Sequence, residues 1–276
     1  LEMGALIKWV AAMLEIRHMK EEDWDEFHKM DIEIFPDDIM REESFRKSVE
    51  GNGFFALTLD RQIIGNLIVT RFGKDIGYLN RIGVAMEHRG KGFGSKLMEH
   101  ALDWFYEQGG IRTVQLFADL NEAAQGLYRK HGFMKVGTTW HYFVPYNSIR
   151  PERKFTCQEI QEAEIELVGG MFPSIPPEQI RRYLASDEYH ILTLKDRNGN
   201  IEGFCRFTPS FPGCMPFEIT SVECFDDFIA GLSEFKLPEH DYCRVTFTDL
   251  PELAKLCEKR EYRLHHRLHK MSLKLS

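Results

Sequence analysis

The chain holds no apolar run approaching the roughly 20 residues that cross a bilayer, so no transmembrane helix and no membrane partner are expected. Its opening, LEMGALIKWVAAM, has an acidic residue where a secretory signal needs positive charge, and the expected compartment is the cytoplasm. That opening reads as a short amphipathic helix or a translation-start artefact and is assigned no function. Positive charge is also short: 35 Lys and Arg stand against 43 Asp and Glu, a formal net charge of −8. The deficit is spread over both halves, which excludes the basic face that a nucleic-acid partner requires. Cysteine is absent before Cys157, and none of the six forms a C-x-x-C pair, so reduced, mostly buried thiols are expected.

What remains is ample for folding, with 43% hydrophobic residues in 276, enough for two domains of ordinary size. After Met13 the pattern reads as strand LEIRHM, a helix from Glu21, a second helix REESFRKSVEG, and strands FFALTLD and IIGNLIVTRF about a turn at Asp60 to Gln62. Strand IGYLNRIGV leads through HRGKGFG into the helix SKLMEHALDWFYEQGG, whose Leu97, Met98, Ala101, Leu102 and Phe105 share a face. Strand TVQLFA, helix NEAAQGLYRKHG and strands around FMKVGTTW and HYFVPY follow, the last interrupted by Pro145. The boundary is placed between Pro145 and Pro151, giving domains over 14–147 and 152–276. The second half echoes the first in order: LTL recurs at Leu192, and FADLNEAAQ from Phe117 recurs as FTDLPELAK from Phe247. Two similar mixed α/β domains in tandem are expected.

Chemistry concentrates at Gly90, Gly92 and Gly94, between a strand and a helix, where the backbone can approach a ligand and the helix start offers unbonded amides. Arg89, Lys91 and Lys96 add positive charge, which suits a pyrophosphate. Solvated cations at an ordinary loop-to-helix turn are the bland alternative. Neither G-x-x-x-x-G-K-S/T nor G-x-G-x-x-G is present, since Gly94 is followed by Ser-Lys and Leu97 stands where a third glycine belongs.

The loop RGKGFG resembles the R/Q-x-x-G-x-G/A cofactor loop of the GNAT superfamily of N-acetyltransferases. The downstream NEAAQGLYRKHGF resembles that family's N-x-x-A-x-x-L-Y-x-x-x-G-F segment, and strand YLNRIGV stands before both. The resemblance covers about residues 14–147. It implies two tandem GNAT-type acyl-CoA N-acyltransferase domains, the second degenerate, with acetyl-CoA as co-substrate and no metal. Amides of Arg89, Gly90, Lys91, Gly92, Phe93, Gly94 and Ser95 would hold the pyrophosphate. The backbone of Ile82, Gly83 and Val84 would pair with the pantetheine arm, and Asn121 would hydrogen-bond it from the other side. Tyr128 would serve as general acid toward the CoA thiolate, its bland alternative being a core aromatic.

A phenol of pKa about 10 protonating a thiolate of pKa about 8.5 is uphill by roughly 2 kcal/mol, which favours late hydrogen bonding over early transfer. Deprotonating an alkyl amine at pH 7 costs about 4 to 5 kcal/mol, so a base or desolvation must help. Many relatives carry a carboxylate on the strand before the loop, but YLNRIGV has Asn80 and Arg81. Glu33, Asp119 and Glu122 are the candidate bases, Glu33 first.

Between Glu21 and Glu43 eleven acidic side chains face only Lys29 and Arg41, which suits a cationic amine acceptor or, equally, exposed faces of amphipathic helices. The expected acceptor is a small-molecule or peptide amine. A non-catalytic acyl-CoA sensor, another acyl donor, and a hydroxyl or thiol acceptor are the alternatives.

In the second half Pro251 aligns with Asn121 and Glu258 with Tyr128, and no R-x-x-G-x-G occurs, so CoA binding there is not expected. Its expected roles are to complete the acceptor pocket or to form a subunit interface, as in a homodimer. A fragment of residues 1–150 should then bind acetyl-CoA and turn over slowly. His265, His266 and His269 lie in an alternating segment that reads as two terminal strands with no companion ligands.

Overall fold

The computed structural model describes residues 13–275 apart from positions 121 and 173. The opening segment discussed above thus falls outside the described residues. By its contacts the chain divides into two compact units, one of residues 1–116, 129–132 and 273–276, the other of 117–128 and 133–272.

The first unit runs β1 (Leu14–His18), α1 (Trp24–Ile34), α2 (Glu42–Val49), β2 (Phe54–Leu59), β3 (Gln62–Phe72), β4 (Ile76–Val84), α3 (Phe93–Glu107) and most of β5 (Thr113–Ala118). Its strands lie in the order β1-β2-β3-β4-β5, antiparallel until β4 and β5, which are parallel. Asp60 and Arg61 both take positive φ, 50° and 73°, the backbone of a two-residue hairpin whose twist matches the strands. On α3 the buried face is Leu97, Met98, Ala101, Trp104 and Phe105. Leu102 is only half-buried; the extra core position goes to Trp104, whose indole N–H donates to the Asn52 carbonyl at 3.1 Å. Gly77 on β4 lets α3 approach, because a Cβ there would stand 2.5 Å from the Phe105 ring. Beneath α1 and α2, Phe27, Phe45 and Phe54 meet with ring centroids 5.0 to 5.4 Å apart.

α4 (Glu122–Lys130) leads to β6 (Met134–Pro145), followed by β7 (Thr156–Glu159), α5 (Ile165–Met171), α6 (Pro177–Leu184), β8 (His190–Lys195), β9 (Ile201–Thr208) and β10 (Gly213–Ile219). Then come α7 (Cys224–Leu232), β11 (Tyr242–Thr248), α8 (Pro251–Lys259) and β12 (Arg263–Lys274). In the second unit the strands lie in the order β12-β6-β11-β10-β9-β8-β7, with β10 and β11 parallel. From β7 onward the elements repeat the succession from β1: two helices after the first strand, a helix between the fourth and fifth, a helix before the last. The echoed segments occupy matching places, LTL on β2 and β8, and FADL and FTDL where β5 meets α4 and β11 meets α8. Fully buried Phe204, Phe207, Phe217, Phe225 and Phe228 dominate this core. All six cysteines are free thiols and five are buried.

Two strand expectations need correction. Residues 134–145 form one strand, with Pro145 as its final residue, where a missing N–H disturbs no continuing ladder. Residues 263–274 likewise form one strand, its register shifting at Leu264/His266 and Lys270/Met271.

β6 pairs with β11 from Tyr242↔Pro145 to Thr248↔Thr139, and with β12 from Arg263↔Phe143 to Ser272↔Met134. Both its edges are filled by the second half of the sequence, so the contact units cut across the boundary at Pro145 to Pro151. In return the last residues join the first unit, where the Leu275 amide donates to the Arg112 carbonyl at 2.9 Å.

Candidate functional site

β4 and β5 pair over only three residues, Ile76↔Thr113, Gly77↔Val114 and Tyr78↔Gln115. β4 then continues to Val84, with its other edge held by β3 through Leu67↔Ile82, Asn66↔Gly83 and Gly65↔Val84. The parting coincides with a bulge: Ile68 faces Arg81 and Val69 faces Leu79, which leaves Asn80 as the extra residue and bends the strand. Among the described residues the β5-side edge of Ile82, Gly83 and Val84 has no strand partner, the geometry in which an extended ligand can add to a sheet.

The chain leaves Val84 through a short 3-10 turn, Met86–His88, and enters the glycine loop. Gly90 and Gly92 have φ of +74° and +83°, and nothing stands within 4 Å of a Cβ at either, so the loop faces open space. Gly92 caps α3 with no side-chain cap bond and no acidic residue in the first turn. The first intrahelical bond is the Lys96 amide to the Gly92 carbonyl at 3.2 Å, which leaves the amides of Phe93, Gly94 and Ser95 ahead of the ladder, at the positive end of the helix dipole. The Arg89 side chain folds back to the Val84 carbonyl at 3.0 Å and the Lys91 ammonium to the Glu87 carbonyl at 2.9 Å, bracing the loop. Lys130, which sequence reasoning missed, donates to the Ser95 hydroxyl at 3.1 Å and adds a cation at the helix start. Nothing local marks Lys130; it is brought there by the turn of α4.

Thus Ile82 to Val84 and Arg89 to Ser95 are continuous parts of one surface in the first unit. Asn121 lies outside the described residues, as does the side chain of Glu122. Tyr128 falls in the second unit, on α4, 8% exposed and set edge-on to Phe133 at 6.2 Å between centroids. Gly132, at φ +85°, closes that helix: the Phe133 amide reaches the Tyr128 carbonyl and the Gly132 amide reaches the Arg129 carbonyl, the paired bonds of a Schellman cap. Burial pushes the Tyr128 phenol up to about 12.

Glu33, exposed near the end of α1, accepts the Met86 amide at 3.0 Å. Its carboxylate therefore ties α1 to the turn that precedes the glycine loop. Asp119 is exposed, and its carbonyl accepts the Gln125 side-chain amide at 3.2 Å.

Arg81 meets Asp31 on α1 through Nε at 2.9 Å and Nη2 at 2.7 Å, both on Oδ1, while Oδ2 of Asp31 accepts the Met40 amide at 2.8 Å. The guanidinium also bonds the Asp38 carbonyl at 2.8 Å and its carboxylate at 3.2 Å, and lies 3.8 Å over the Phe35 ring. This ion pair, 50 residues apart in sequence, fastens the α1–α2 connection to β4. The acidic run is therefore largely engaged: Asp23 pairs with Arg17, Glu21 and Glu42 with Arg46, and Glu26 accepts the Ile63 amide.

In the second unit β10 and β11 also part after two pairs, Gly213↔Arg244 and Cys214↔Val245. No glycine loop follows, and the first turn of α7 carries Asp226 and Asp227, which oppose an anion. Asp227 instead accepts the amides of Arg153, Lys154 and Phe155 at 2.7 to 3.0 Å. His265 and His266 on β12 lie with ring centroids 3.8 Å apart, tilted by 42°. Among the described residues no group of three His, Cys, Asp or Glu is placed to hold a metal, and no helix is long and apolar enough to cross a membrane.

A family model described as Acetyltransferase (GNAT) family matches residues 16–133. N-alpha-acetyltransferase RimI of Mycobacterium tuberculosis is 31% identical over 84 residues, 29% of this chain and 51% of that protein, so the match spans about half of the relative's length. A GCN5-related N-acetyltransferase from Sphaerobacter thermophilus superposes with a TM-score of 0.72 at 14% identity, over 95% of each chain. A tandem GNAT protein from the clavulanic acid biosynthesis pathway superposes with a TM-score of 0.64 at 10% identity, over 95% of this chain and 98% of the other.

Proposed function

We propose that this chain, whose residues 16–133 match the GNAT acetyltransferase family model, moves an acetyl group from acetyl-CoA directly to a primary amine. The observation that carries this reading is the open edge of Ile82 to Val84 running into an open, cationic glycine loop. The pantetheine amides add to the β4 edge as a further strand would. The pyrophosphate sits on the amides of the loop and the first turn of α3, with Arg89, Lys91, Lys96 and Lys130 lowering its charge.

The amine nitrogen attacks the thioester carbonyl, the C–N bond forms, the C–S bond breaks, and the amine's proton leaves to solvent or a base. Tyr128 donates to the departing sulfur. With its phenol near 12, full transfer to a thiolate of pKa about 8.5 is uphill by about 5 kcal/mol, so the group stabilises the thiolate by hydrogen bonding while the C–S bond opens. Glu33 is engaged with the Met86 amide, which makes it a positioning group for the loop; the base is then water or the desolvated site itself. Because the acidic run is engaged, we infer an amine acceptor with no special demand for extra positive charge.

The test measures CoA release with a panel of amines, alongside calorimetry of acetyl-CoA binding, in wild type and Tyr128→Phe. Retained binding with amine-dependent turnover lowered by about 10²-fold or more supports the enzyme and the role of Tyr128. Acetyl-CoA binding without turnover on any amine makes the chain an acyl-CoA sensor.

A further inference from the structure

The second unit has lost its glycine loop, yet it contains a cavity of about 120 Å³ lined by Arg206, Thr208, Phe211, Met215, Arg244 and Thr246 among others. One water needs about 10–15 Å³ of such space, so a small organic ligand fits. The strands build it by alternation. Arg206 and Thr208 lie two apart on β9, Arg244 and Thr246 two apart on β11, and the residues between them, Phe207 and Val245, are fully buried in the core. Gly213 on β10 pairs with Thr208 on one side and Arg244 on the other, so the floor between the two strands carries no side chain.

None of the residues that line the cavity is acidic, in a chain of net charge −8. The Arg206 guanidinium lies 4.6 Å over the Tyr183 ring and 5.0 Å over that of Tyr189, and its Nε is buried with no hydrogen-bond partner. A buried nitrogen donor left unmet is costly in the empty protein, and an acceptor entering the cavity would satisfy it. The Arg244 guanidinium lies 5.0 Å over Phe211, with Nη2 at 3.4 Å from Nδ1 of His141. Burial and then the neighbouring Arg244 hold the His141 imidazole down at about 3, so it is a neutral acceptor beside Arg244 and adds no competing positive charge.

We propose that this cavity is an oxyanion site, taking a small ligand whose carboxylate or phosphate lies between Arg206 and Arg244, with the hydroxyls of Thr208 and Thr246 as further donors. Phe211 and Met215, 39% and 41% exposed, flank the cavity and receive a short apolar body attached to the anion. The degenerate copy is thereby a ligand-binding unit with chemistry of its own, independent of acyl transfer.

Calorimetry on the full chain, at matched ionic strength, with acetate, benzoate, inorganic phosphate and phenyl phosphate tests this. At least one probe binds, and its affinity falls by about tenfold or more in both Arg206→Gln and Arg244→Gln, while acetyl-CoA binding is unchanged. Whether the carboxylates or the phosphates bind tighter identifies the anion. If either variant fails to fold, side-chain NMR of His141 in the wild type reads the site: its resonances move as the binding probe is added. No binding by any probe up to about 10 mM, or binding unaltered in both variants, or a bound probe that leaves His141 unmoved, overturns the proposal.

Discussion

Replacing Arg81 by Met leaves Asp31, which has no exposed surface, as a buried carboxylate with only the Met40 amide to offset its charge. Removing one member of such a pair costs about 3–5 kcal/mol, because the survivor is desolvated without its partner. With an unfolding entropy of about 2.1 cal/mol/K per residue, a chain of 276 residues that melts as one loses roughly 5–9 °C in Tm. The double variant Asp31→Leu/Arg81→Met removes both charges and should recover part of the loss, whereas Arg81→Lys should not restore the wild type, since one ammonium cannot serve Oδ1 of Asp31, the Asp38 carbonyl and the face of Phe35 together. Scanning calorimetry reads all three. Arg81 fastens the α1–α2 connection to β4; on the proposed function, with that connection bordering the acceptor, the KM for the amine should rise in Arg81→Met while acetyl-CoA affinity stays within about threefold. A loss below about 1 kcal/mol for the single variant, or a double variant no better than the sum of its parents, would refute the reasoning.

Gly92→Ala places a left-handed residue at φ +83°, for about 1–2 kcal/mol of stability, but its methyl enters open space over the loop; acetyl-CoA binding by calorimetry should therefore weaken by more than about tenfold. His141 is neutral when folded, its pKa held near 3 against about 6.5 unfolded, so the unfolded chain takes up the extra proton as pH falls through that window. Stability should drop by about 2 kcal/mol between pH 7 and pH 5 in urea titrations, and that component should vanish in His141→Gln. The fragment of residues 1–150, expected from sequence to bind acetyl-CoA, should instead be insoluble or unfolded by circular dichroism, because β6 would have neither β11 nor β12; a soluble fragment that binds acetyl-CoA would contradict the strand exchange.

The glycine loop was legible because its chemistry resides in residue types at adjacent positions, and the helices because their apolar faces recur locally. The Asn80 bulge was not, since an extra residue on one strand is defined only by its partner. Nor was the Arg81–Asp31 pair: across 50 residues nothing distinguishes the fully buried carboxylate among eleven that Arg81 will meet. Glu33 shows the same limit from the other side, for an acid that looks free for catalysis is held by a backbone amide. The cavity in the second unit was invisible for a related reason, since Arg206 and Arg244 come together only when β10 lies between them as a strand with a glycine floor. Pro145 misled because proline ends a strand as readily as it interrupts one.

The exchange of β6 also sets an order in time. Its first partner begins at Tyr242, 97 residues after Pro145, and a ribosome working at about 5–20 residues per second needs roughly 5–20 s to make that stretch. Throughout that interval Trp140, Tyr142 and Val144, all buried in the finished protein, stand on a nascent strand with both edges open. A stop codon before Tyr242 strands them permanently. A repeat without a glycine loop is thus protected from deletion by the strand it shelters, and selection can retain it, and refashion its other surfaces, for the sake of that pairing alone.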